Sequence, residues 1–139
     1  MLRKMLVAND GSPGGDKALK YALELARRLE IGVTMICVEE LPRFPASIGE
    51  VAEAQEDAKS VFDKVVASAR TLAGTYGVTL DAHVVPGHPL PSIVDYVRKN
   101  GYDLLVVGFM GHTALYNRLI GGTTDRLVEH APCTVMVVK

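Results

Sequence analysis

The residues best spaced for chemistry lie between Gly108 and Thr124. Two residues separate Gly108 from Gly111 and nine separate Gly111 from Gly121, after which Gly122, Thr123 and Thr124 open a helical pattern. Glycine permits positive φ and close backbone approach, so a loop of this kind can aim several N–H groups at one anion. The unpaired N–H groups of a first helical turn, together with the positive end of the helix dipole, favour a phosphate at the same place. On spacing alone the stretch is either a phosphate cradle or a surface loop with turn glycines. Asp10 is the second candidate, just past the apolar run Met5–Ala8. A carboxylate at a strand end suits a ribose hydroxyl or a magnesium ion, or else an Asx turn onto Ser12.

Other chemistries lack their residues. His83, His88, His112 and His130 have no paired metal-ligand spacing, and none stands with a Ser or Cys and an acid in a nucleophile motif. The segment Gly14-Gly15-Asp16-Lys17 does not meet the P-loop spacing. No residue is evident to orient an attacking water, and phosphoryl transfer depends mainly on such positioning. We therefore assign no catalytic residue and no protein metal ligand, and expect at most slow hydrolysis. Arg118 and Arg126 could neutralise phosphate charge, but a lone arginine beside a helix is more often solvated, and neither is assigned to the site.

These residues must be positioned by a chain of 139 residues, 48% of them apolar, with few aromatics and no Trp. That length fits one domain over residues 1–139, and a core of Val, Leu, Ile and Ala fits a buried parallel sheet under helices. Fifteen basic and sixteen acidic residues leave a net charge of −1, which draws the chain neither to nucleic acid nor to membrane. No run reaches membrane-spanning length, and Met1–Ala8 is too weakly apolar for a signal peptide. The expected location is the cytoplasm. Cys37 and Cys133 stand far apart in apolar runs and read as buried thiols.

Apolar runs alternate with helical periodicity along the chain. The first strand, Met5–Ala8, ends in the turn-forming Asn9–Gly15, and Ser12-Pro13 starts a helix whose face is Ala18, Ala22, Leu25, Ala26 and Leu29, ending near Gly32. A second strand covers Val33–Val38. After a Pro-containing loop over Leu41–Glu50, suited to moving over a site or packing on a partner, a long amphipathic helix runs from Val51 to Tyr76. A more exposed strand over Val78–Val85, a helix over Pro91–Lys99 and a central strand ending at Val107 follow, then the glycine loop, a helix over Thr124–His130 and a last strand over Cys133–Val138. Right-handed crossovers arrange these as an α/β fold, a single open, doubly wound, five-stranded parallel sheet of order 3-2-1-4-5 with helices on both faces. Strands one and four are then neighbours. Their loops face each other across the switch point where such sheets bind ligands.

The glycine spacing, the opening Leu6-Val7-Ala8-Asn9-Asp10-Gly11-Ser12 and the closing Glu129–Val138 together resemble the universal stress protein family, over essentially Leu6 to Val138. The resemblance implies that Asp10 and Ala8 lie near the ribose and adenine of a nucleotide, and that Val38 offers backbone groups to the adenine edge. It further implies that Val107 lines the base, that Gly108 and Gly111 approach the ribose-phosphate, and that Gly121, Gly122, Thr123 and Thr124 hold the triphosphate. Gly122 departs from the family, which usually has a hydroxyl residue there. Thr124, where the family again tends to carry a hydroxyl, takes that phosphate contact, with Thr123 contributing mainly its backbone.

The expected function is ATP binding, with magnesium carried on the phosphates, by a stress-response switch or sensor. The alternatives are a slow ATPase or phosphotransferase and a nucleotide-free dimeric interaction module. A homodimer through the last strand is expected because Val135–Val138 would form an apolar sheet edge. The resemblance also implies dimers. The downstream protein partner is not legible.

Overall fold

The computed structural model describes residues 2–40, 47–109 and 122–139. Five strands, β1 (Met5–Ala8), β2 (Val33–Glu40), β3 (Leu80–Gly87), β4 (Leu104–Gly108) and β5 (Thr134–Val138), alternate with α1 (Pro13–Leu29), α2 (Ile48–Tyr76), α3 (Pro89–Asn100) and α4 (Thr123–His130). All four strand pairings are parallel and the order is β3-β2-β1-β4-β5, as expected from the sequence.

Strand pleating divides the core in two. Met5, Val7, Met35, Cys37, Leu104 and Val106 face α1 and α2, where Leu19, Leu23 and Ala69 bury against them. Leu6, Ile36, Leu105 and Val107 face the other way, onto Ile93, Val94 and Val97 of α3 and Leu127 of α4. Covered on both faces, β4 reads as an unbroken apolar run. Cys37 is buried, and desolvation, with the Asp10 charge second, pushes its thiol up to about 12. Cys133, expected to be buried, is only half-buried because it precedes the edge strand β5.

Several boundaries move, each for a local reason. Helix α1 stops at Leu29, before Gly32, because Glu30 turns left-handed at φ 56° and lets the Ile31 N–H donate to the Ala26 carbonyl. Ile31 then packs on the α1 core, which offsets the cost of a non-glycine residue in that conformation. Leu29 itself is exposed, and Leu19 and Leu23 do the burying. Helix α2 starts at Ile48, three residues ahead of Val51, through a capping box. The Ser47 hydroxyl accepts from the Glu50 N–H at 3.1 Å, and the Glu50 carboxylate takes the Ser47 N–H. Strand β3 is set by its pairing with β2, from Val33↔Leu80 to Glu40↔Gly87, and its edge position tolerates Pro86. At the opposite end of the sheet from the strand-end loops, Asp103 receives the N–H groups of Arg3 and Lys4 at 2.8 and 2.9 Å, tying the chain before β1 to β4.

Candidate functional site

Leaving β1 the chain turns onto the α1 face, and leaving β4 it turns onto the α4 face. The carboxyl ends of these paired strands are therefore the switch point, where open sheets of this kind form their binding crevice. Three of the expected site residues, Ala8, Val38 and Val107, come together on one face of the sheet at these strand ends. Val107 is buried, and Ala8 and Val38 are half-buried against the α3–α4 cluster. They make an apolar floor.

Asp10 stands beside it, exposed, at the start of a tightly built loop. Its Oδ1 accepts the Ser12 N–H at 2.9 Å and also the Ser12 hydroxyl. The Asx turn expected as one reading of Asp10 is thus present, and it orients the carboxylate. Ser12, the buried N-cap of α1, in turn accepts the Gly15 N–H at 3.1 Å. Asn9, only 2% exposed, accepts the Gly11 N–H at 2.9 Å, and its Nδ2 lies 3.6 Å from Met35 Sδ. A Cβ on Gly15 would fall 2.4 Å from Asn9 Oδ1, so a glycine is what allows α1 to approach this loop. In the sequence Asn9, Ser12 and Gly15 do not stand out as site residues. The density of turn formers over Asn9–Gly15 was their only signal.

Gly108 is held from several sides. Its own Cβ, if present, would lie 2.5 Å from the Gly14 carbonyl oxygen, so β4 and the first turn of α1 touch backbone to backbone. The Phe109 N–H continues the ladder to the Val138 carbonyl at 3.0 Å, and Thr124 Oγ1 donates to the Gly108 carbonyl at 2.8 Å. Gly122 is the N-cap of α4 and supplies no side-chain cap. The N–H groups of Thr123, Thr124 and Asp125 have no partner among the described residues, while that of Arg126 bonds the Gly122 carbonyl at 3.2 Å. Such an uncapped first turn, with its dipole, attracts an anion. Thr123 is half-buried, and its hydroxyl is likewise without a partner among the described residues. Gly111, Gly121, His112 and Arg118, and the 41–46 part of the Pro-containing loop, lie outside the described residues.

Among the described residues no helix is long and apolar enough to cross a membrane. A universal stress protein of Methanocaldococcus jannaschii is 28% identical over all of this chain and 83% of its own length. Of solved structures, UspA of Lactobacillus plantarum superposes with a TM-score of 0.85 at 24% identity, covering 99% of this chain and 98% of its own. A universal stress protein family protein of Arabidopsis thaliana, solved with AMP bound, superposes with a TM-score of 0.70 at 22% identity, covering 99% and 91%. These likenesses carry the fold. Residues 1–139 match the sequence profile of the universal stress protein family, and the chain belongs to that family.

Proposed function

We propose that this chain binds an adenine nucleotide in the crevice between β1 and β4, and that its physiological ligand is ATP with magnesium carried on the phosphates. One observation carries the reading: an apolar floor, an oriented carboxylate and a helix N-terminus with no cap among the described residues lie together at the switch point. The Ala8, Val38 and Val107 floor suits a base, Asp10 a ribose hydroxyl, and the first turn of α4 with the Thr123 hydroxyl a polyphosphate. Gly108, Gly111, Gly121 and Gly122 would supply close backbone approach, and Thr124 its N–H. The AMP-bound Arabidopsis relative supports the choice of adenine. Occupancy would change the surface around the crevice, which makes the protein a nucleotide-dependent switch.

Calorimetric titration with ATP and AMP in the presence of magnesium tests this. ATP should bind and, at a hundred times its Kd, stabilise the native state by about 2.7 kcal/mol, read as a rise in Tm. No heat and no shift at millimolar nucleotide would remove the reading.

We also propose a homodimer through β5. It is an edge strand whose Val135, Met136 and Val137 are only half-buried in one chain. Light scattering should give twice the 15.0 kDa of the chain, and a monomer throughout the micromolar range would reject this interface.

A further inference from the structure

Thr124 is half-buried on the first turn of α4 and donates its hydroxyl proton to the Gly108 carbonyl, sixteen residues earlier, at 2.8 Å. A hydroxyl carries one proton, and an ionised phosphate only accepts. While this bond stands, the Thr124 side chain offers a phosphate nothing but lone pairs. We infer that Thr124 is a positioning residue, a clasp that fixes the start of α4 to the end of β4, and that its side chain is not a phosphate ligand.

The rest of the junction makes such a clasp effective. Gly108 is already backed by Gly14 and followed by the Phe109–Val138 bond, so its carbonyl is a fixed anchor. Helix α4 has eight residues and buries only Leu127, which leaves its direction weakly determined by packing. The Thr124 bond supplies the missing constraint at the end that faces the crevice, and so aims the uncapped N–H groups. The neighbouring Thr123 hydroxyl keeps its proton uncommitted among the described residues, and so still has a donor to offer a phosphate.

This inference rests on the proposed nucleotide site, and it makes a distinct demand. A misaimed helix weakens every nucleotide that uses the crevice, whereas a lost phosphate ligand weakens ATP selectively. The affinities of ATP and AMP should be measured for the full chain and for Thr124→Val and Thr124→Ser. The valine variant, which preserves side-chain volume, should lose about two- to tenfold for both nucleotides alike, the effect of one hydrogen bond. The serine variant should restore both. A loss confined to ATP, no loss at all, or failure of serine to restore binding would overturn the clasp. If the parent chain binds neither nucleotide, the proposed function falls and the clasp's role falls with it. If the parent binds and only the clasp pattern is missing, the site stands and the inference alone is wrong.

Discussion

Gly108→Ala should cost about 1 to 3 kcal/mol of stability and reduce nucleotide affinity at least tenfold, roughly 1.4 kcal/mol. The added methyl would sit 2.5 Å from the Gly14 oxygen and 2.7 Å from its carbonyl carbon. Both are main-chain atoms in the first turn of α1, so no rotamer change relieves the overlap. Either β4 or α1 must move. Moving β4 shifts the carbonyl that Thr124 grips, and moving α1 disturbs the loop that presents Asp10, so both halves of the crevice feel a single methyl. Chemical denaturation and a nucleotide titration of the same variant check the two effects. A variant indistinguishable from the parent in both would mean that this backbone contact does not shape the site.

Ser12→Ala is expected to be nearly as damaging, at about 1 to 2 kcal/mol, because one buried hydroxyl serves two purposes. As N-cap it accepts the Gly15 N–H, and as donor it holds Asp10 Oδ1. Its removal leaves the Gly15 N–H without its cap inside a closely packed turn and loosens the carboxylate assigned to the ribose. Stability and affinity should therefore fall together. A variant with lower stability and parental affinity for both ATP and AMP would separate Asp10 from the ligand.

How far these features could be read from the chain depended on the range of the interactions that make them. Strand β4 was legible because Leu104–Val107 is buried on both faces and needs no alternation, and the strand order followed from right-handed crossovers in two βαβ halves running outward from a shared start. The left-handed Glu30 was not legible, since it is the packing of Ile31 that makes it tolerable. The Ser47–Glu50 capping box was present in the sequence, but Pro42, Pro45 and Gly49 around it read as loop. In the candidate site, Ala8, Val38 and Val107 fall together because the period of two and the strand order place them so. The burial of Asn9 depends on Gly15 of a different element, and the Thr124–Gly108 bond joins residues across an intervening loop. No local pattern announces contacts of that kind.

The location of the site can be tested residue by residue by recording amide chemical shifts of the labelled protein during titration with magnesium-ATP. A nucleotide in this crevice should perturb Ala8, Asp10, Val38, Val107, Gly108 and the amides of Gly122, Thr123 and Thr124, and leave Lys4, Tyr102 and Asp103 at the opposite end of the sheet unmoved. Saturating ATP that shifts none of the crevice amides, or that shifts the opposite end instead, would contradict nucleotide binding at the β1–β4 switch point.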